Sequence, residues 1–345
     1  MQGKTTRAIA LLGAASAALL TLAACTSSGP SSESTVTVTK APPSTSASAP
    51  STTALPSSDP ASSTSTSSTP ATTVHVSSML SDNSTYGVGM PIVLFFSPPP
   101  TDSTAFTNAV KVTVNGRPAD GAWYWEQPTH DEVESNTVEA HYRLPDYWHA
   151  HSHIHASFPI KGLSAGKNLV YSGALTSLDF SIGAKHVSNV DGHAETMRVY
   201  SDNKLVRKIK VSLGEADHPT FTGVKVVMQK GEDVPGTNKL RPNGTVLMSG
   251  QGYTNTPVEW SVRITRSGEY VHSAPWNGLI GRSSTSHGCT NLFPDPAKWF
   301  YSFSNVGDVV TYTNTGGQRM PVWDGLGDWN VPWQVWQQGG LLRNH

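Results

Sequence analysis

Ser286-His287-Gly288-Cys289-Thr290-Asn291, preceded across a Gly/Ser-rich loop by His272-Ser273-Ala274-Pro275-Trp276, is the stretch from which the rest of the chain is read. A thiol becomes a strong nucleophile only as thiolate, and a nearby imidazole can take its proton and later return it to a leaving group. Two histidines are available, His287 two residues before Cys289 and His272 seventeen before it, and spacing alone leaves both open as the base. Gly288 lets the backbone turn tightly, so that consecutive N–H groups can point at a developing oxyanion. The pattern is that of a tight turn with a reactive residue at its apex.

Outward from this motif, composition narrows the function classes. The chain has 345 residues, 14% charged, with a net charge of −1. It carries no basic field for nucleic acid and no acidic tail. It is long enough to bury two modest cores. Its two cysteines, Cys25 and Cys289, allow at most one disulfide, which excludes a disulfide-stapled scaffold.

The amino-terminal end reads as an export signal over residues 1–25. Lys4 and Arg7 precede an Ala/Leu-rich run that ends in Leu22-Ala23-Ala24-Cys25, similar to a bacterial lipobox. Acylation of Cys25 would anchor the protein to the cell membrane, facing the wall, and would leave Cys289 unpaired. Residues 26–73 follow, 28 of these 48 being Ser or Thr. Such a segment cannot bury enough apolar surface to offset its chain entropy, and it reads as a disordered linker.

Fold class follows from short apolar runs separated by turn residues. Over residues 74–183, Pro91–Phe96, Val110–Val114, Ala122–Trp125, Glu139–Arg143, Ile154–Ile160 and Leu178–Ile182 read as strands of a β-sandwich. His149, His151, His153 and His155 alternate there. Same-face neighbours on a strand sit roughly 7 Å apart, wide for two ligands of one zinc. They read as an outward polar face opposite Ile154, Ala156 and Phe158, and no metal is expected. A metal-sequestering role for them is the remote alternative. Residues 184–315 read as a second β-rich unit with a hairpin about Ser201-Asp202-Asn203 and one helix, Asp295–Ser302. Residues 316–345 form an aromatic tail expected to pack on that unit. Trp276, Trp299, Trp323, Trp329, Trp333 and Trp336 are read as packing residues rather than sugar platforms.

The motif residues resemble the L,D-transpeptidase (YkuD-type) catalytic domain: a histidine, a loop, then Ser/Thr-His-Gly-Cys-x-Asn/Arg. His272-Ser273-Ala274-Pro275-Trp276, Trp299-Phe300-Tyr301 and Asp324-Gly325-Leu326-Gly327-Asp328-Trp329-Asn330 extend the likeness to the actinobacterial lipoprotein branch, in which an immunoglobulin-like domain precedes the catalytic one. The resemblance implies a mainly β protein in which Cys289 is the nucleophile and His272 the base and then acid. It implies that the Ser273 carbonyl orients His272, and that His287, Gly288 and Cys289 supply oxyanion N–H groups, with the His287 ring ordering the loop. Tyr253, Ser267, Gly268 and Asn291 match donor-peptide positions.

The implied substrate is a tetrapeptide peptidoglycan stem, the product a 3→3 cross-link with release of D-Ala, and no cofactor is needed. Carbapenem-type β-lactams are implied to acylate the same sulfur. An L,D-carboxypeptidase using water as acceptor is the neighbouring alternative; a non-catalytic wall-binding lipoprotein is one from another class. Two departures stand out. The segment Ser249–Pro257 is much shorter than the family's usual flap, and Thr290 stands where an apolar residue is usual.

Overall fold

A computed structural model describes residues 71–128, 136–237, 239–250 and 252–342. The export segment with Cys25, and the linker up to residue 70, lie outside the described residues.

The architecture is mostly β, as expected. Two sheets form the first half. One runs in the order Ala122–Glu126, Val138–Arg143, Ile92–Ser97, Thr72–Ser78, Leu169–Tyr171, Ser164–Gly166. The other runs Ser84–Tyr86, Ser177–Ile182, His153–Ser157, Lys111–Val114, Arg117–Pro118. Their inner faces meet in one core built by Val74, Ile92, Leu94, Phe96, Trp125, Ile154, Ala156 and Phe180. The Phe96 ring lies 5.2 Å from Phe106 and 4.6 Å from Trp125, a cluster whose burial accounts for much of the sandwich's cohesion.

The first strand, Thr72–Ser78, was not anticipated. It begins inside the expected linker and reads polar, yet Val74 and Val76 alternate inward. Phe106 also comes from an unanticipated element, the short helix Thr104–Ala109. The histidine run is likewise more broken than its alternation suggests. Only His153 and His155 lie on a strand, flanking buried Ile154, while His151 adopts φ 59 in the preceding turn. Asp179 on the neighbouring strand approaches His155 Nδ1 at 2.9 Å.

The second half pairs Lys204–Lys210, Thr196–Ser201, His186–Asp191, Val309–Thr313 and Gly223–Val226 in one sheet. A second sheet contains Gln229–Lys230, Val262–Arg263, Tyr270–Ser273 and Thr290–Leu292. Helix Pro294–Phe303 starts with proline at its first turn and Asp295 beside its positive end, and it buries Ala297 and Phe300. These join Val190, Met197, Val199, Val262, Val271, Leu292 and Tyr312 in the second core. The halves meet closely. Gly87 N–H donates to Val306 O at 2.8 Å, and a Cβ on Gly87 would sit 2.2 Å from Asp308 N, so only glycine fits.

The tail corrects one expectation. It seats largely on the sandwich rather than on the catalytic unit alone. Ala122–Glu126 is the end strand of its sheet, with backbone groups that need covering. Trp125 N–H donates to Gly339 O and Leu341 N–H to Trp125 O. Trp336 stacks on Tyr124 at 4.6 Å, and its Nε1 donates to Ala122 O. The Arg143 guanidinium lies over Trp329, Trp333 and Trp336 and donates to Val331 O at 2.7 Å. Trp276 and Trp323 do not pack as expected; they are 62% and 57% exposed.

Candidate active site

Two adjacent strands of the second sheet place the motif. Tyr270–Ser273 runs parallel to Thr290–Leu292, with Val271 opposite Thr290, His272 opposite Asn291 and Ser273 opposite Leu292. Cys289 is the residue immediately before the second strand. It is reached through Gly288 at φ 117, a conformation that L side chains rarely adopt. The motif's glycine is therefore a backbone requirement of the turn.

His272 is buried, and its Nδ1 lies 2.9 Å from the Ser273 carbonyl oxygen. A carbonyl can only accept, so the neutral ring carries its proton on Nδ1 and presents Nε2 as a lone pair. Burial pushes the His272 imidazole down to about 4, against a smaller upward pull from that hydrogen bond. Burial pushes the Cys289 thiol up to about 12; the Tyr270 backbone and the charge of Lys225 oppose the rise, while Glu269 adds to it. The residue as a whole is only half-buried, and solvent tempers that rise. Sγ points to the Gly268 carbonyl at 3.7 Å. At rest the two groups are thiol and neutral imidazole, not a preformed ion pair.

The other sequence-predicted residues separate into those with open chemistry and those already engaged. Asn291 is buried with its Oδ1 unpartnered, an acceptor without a protein donor. The Tyr253 ring sits 5.9 Å from that of His287, on the strand Tyr253–Val258 that pairs with Val246–Gly250. The segment read as the flap thus pairs two strands over this corner. Ser267 differs from expectation: its N–H and Oγ both donate to Asp324, at 2.6 and 2.7 Å, so its hydroxyl serves the tail. The Gly288 N–H likewise is held by Ser286 Oγ at 3.2 Å, leaving His287 and Cys289 as the oxyanion N–H candidates outside that hydroxyl's hold. Gly268 turns at φ 104 and offers its carbonyl toward the sulfur.

Several residues around the nucleophile carried no sequence signal. Thr220, fully buried, donates through Oγ1 to Gly288 O at 2.7 Å and accepts the Gly214 N–H at 2.8 Å, clamping the turn. Lys225 and Glu269 form a buried ion pair; Glu269 also accepts the Phe221 N–H, and the Lys225 ammonium lies 3.9 Å above the Tyr312 ring. Tyr312 OH meets Thr290 Oγ1 at 2.7 Å, which explains why a hydroxyl is tolerated beside the nucleophile. Glu215, His218 and His287 bring potential metal-ligand atoms within 4.8 Å of one another at the rim.

Thr220→Val keeps the shape but strands two buried backbone groups, which costs about 1–3 kcal/mol for each. We expect a lower Tm and an acylation rate reduced by more than substrate affinity, measured by stopped-flow acylation; unchanged acylation would show that the clamp is irrelevant to the turn.

Comparison with known proteins follows the same division of the chain. Residues 185–311 match the L,D-transpeptidase catalytic domain (YkuD), and residues 32–164 match the bacterial Ig domain. L,D-transpeptidase 1 of Mycobacterium tuberculosis is 32% identical over 232 residues, covering 67% of this chain and 81% of that relative. The chain belongs to the L,D-transpeptidase family. L,D-transpeptidase 2 of the same organism is 32% identical over 262 residues, 76% of this chain but 61% of that relative. For L,D-transpeptidase 5 the covered share is 56%. This family member therefore spans somewhat under two thirds of those two proteins. Among solved structures, an L,D-transpeptidase in complex with imipenem superposes with a TM-score of 0.54 at 26% identity, covering 70% of this chain and 99% of that one. An L,D-transpeptidase from Mycobacterium smegmatis gives 0.52 at 27%, with the same coverage. The two matched models, Ig domain then catalytic domain, follow the order in which the sheets occur along the chain.

Proposed function

We propose that the chain is a peptidoglycan L,D-transpeptidase acting through a thioester on Cys289. The observation that carries this reading is the parallel pairing that sets His272 beside the Cys289 turn, with Nδ1 committed to Ser273 and Nε2 left to accept a proton. Sγ attacks the carbonyl preceding the terminal D-Ala of a tetrapeptide stem while His272 Nε2 takes the thiol proton. The S–C bond forms, and the carbonyl's electron pair moves onto its oxygen, which the His287 and Cys289 N–H groups receive. Collapse breaks the C–N bond, and His272 returns the proton to the departing D-Ala amine. A side-chain amine of a second stem then attacks the thioester, forming the 3→3 amide and restoring the thiol. No group outside the chain is needed for these steps. The imipenem complex of a relative supports a carbapenem acylating this sulfur too.

The full chain incubated with a tetrapeptide-stem disaccharide tests the reading by mass spectrometry. A dimer lacking one D-Ala supports it; tripeptide alone moves the function to an L,D-carboxypeptidase; absence of any product or carbapenem adduct returns it to a wall-binding lipoprotein. We further propose that Cys25 is acylated and holds the enzyme at the cell membrane, on the strength of Lys4, Arg7 and the Leu22-Ala23-Ala24-Cys25 run. Cys25→Ala should abolish palmitate incorporation and release the protein from the membrane fraction; retention with label would refute the anchor.

A further inference from the structure

Where the tail docks on the sandwich, four ionisable side chains meet out of reach of solvent, and the proposed reaction uses none of them. His141 comes from the strand Val138–Arg143, Glu126 from the strand Ala122–Glu126, and Asp328 from the single turn Asp328–Asn330 of the tail. His141 and Asp328 are wholly buried, and Glu126 is 4% exposed. His141 Nδ1 lies 2.8 Å from Asp328 Oδ1 and 3.2 Å from Glu126 Oε1. On the ring's other side Nε2 lies 3.0 Å from Glu139 Oε2.

We infer that Glu126, His141 and Asp328 form a structural site for a divalent transition cation of the Zn²⁺ or Mn²⁺ class, with Glu139 orienting the imidazole from behind. The spacing agrees with this assignment. Nitrogen and carboxylate ligands about 2.0–2.2 Å from a metal stand roughly 3 Å from one another, as His141 Nδ1 does from each of the two oxygens, and all three ligand atoms lie within 4.8 Å of one another. An imidazole that binds metal through one nitrogen and donates from the other to a carboxylate is the usual second-sphere arrangement, and Glu139 fills that place.

Charge points the same way. Three carboxylates surround one imidazole, and the Arg143 guanidinium in its tryptophan cage lies near Asp328. With a neutral His141, a divalent ion and Arg143 balance the three negative charges. A proton on Glu126 and another on the ring would balance them too. Yet both Glu126 oxygens and Asp328 Oδ2 lack hydrogen-bond partners, and one added proton would serve a single pair of them. Two buried carboxylates that converge on one nitrogen and keep oxygens without a partner are instead satisfied together by a cation, which takes the place of the Nδ1 proton. Because Asp328 lies 187 residues from His141 in sequence, the ion would pin the tail to the end strand of the sandwich. With every ligand buried, it would be captured as the tail docks during folding.

The test uses the full chain, refolded with ZnCl₂ or with MnCl₂ and passed through chelating resin. We expect about one tightly held ion per chain by elemental analysis, and a Tm that falls when the protein is refolded with chelator instead. Glu126→Gln and Asp328→Asn should each weaken retention at least about tenfold, whereas Glu215→Gln with His218→Ala should leave it unchanged. Should the first two variants not fold, X-ray absorption on the zinc-loaded wild type decides: one imidazole nitrogen with carboxylate oxygens supports the site. Sulfur ligation or two imidazoles would assign the ion to Cys289 or to the His218–His287 rim and overturn the inference. A wild type that folds equally well with chelator and retains no ion would overturn it as well.

Discussion

Replacement of Cys289 by alanine is expected to eliminate acyl-enzyme formation and to lower cross-link production by about 10⁴- to 10⁶-fold, the range seen when the nucleophile of a catalytic triad is removed. Cys289 is the sole cysteine among the described residues, so no other thiol there can take its place. The turn that presents it is held by Gly288, Ser286 and Thr220 rather than by the sulfur, so the variant should fold with an unchanged Tm. Intact-protein mass spectrometry with a carbapenem checks the chemistry directly. An adduct that persists in Cys289→Ala, or a product profile like that of the unaltered chain, would refute the assignment.

The second large effect is on pH dependence. With His272 held down near 4 and the Cys289 thiol pushed up, neutral forms of both dominate near pH 7. Alkylation of Cys289 by iodoacetamide should therefore climb about tenfold per pH unit from pH 7 to 10, following the thiolate fraction. A preformed thiolate–imidazolium pair would instead give a rate already flat above about pH 5, and that profile would disprove the resting state described here. Folding stability has its own sign. A histidine whose folded value lies below its unfolded one favours the unfolded chain once protons are available to bind. The cost begins as pH falls below about 6.5, is complete below about 4, and reaches on the order of 3 kcal/mol for this buried ring. His272→Gln should remove that loss from the difference in urea midpoint between pH 7 and pH 4.

Local pattern carried a great deal here. Two patterns made the strands of the sandwich legible: period-two burial over Leu178 to Ile182, and an unbroken apolar run over Ile92 to Phe96 that only a strand between neighbours covered on both faces can bury. Proline before Asp295 marks the helix start to within one residue: the helix begins at Pro294 itself, one residue before the reading from sequence. Thr72–Ser78 escaped because its polar positions continue the composition of the tract before it, and its strand identity depends on partners at Phe96 and Tyr171. At the site, the thiol, the turn glycine and the candidate base were all readable, since reactive chemistry needs particular residue types at short spacing. The choice between the two histidines was not. His287 is exposed against His218, whereas His272 lies buried on the neighbouring strand.

What the chain order alone decided, then, is the alternation of its strands, the nucleophile and the glycine that turns the backbone before it, because each depends on residues within one turn or one strand. Folding decided the pairings that join distant segments. Ser267 is claimed by Asp324, Thr220 closes on Gly288, Lys225 pairs with Glu269, and Asp328 meets His141 across the sandwich edge. Each of these is a buried polar group that had to find a partner on leaving water, and which partner it found was set by how the sheets packed.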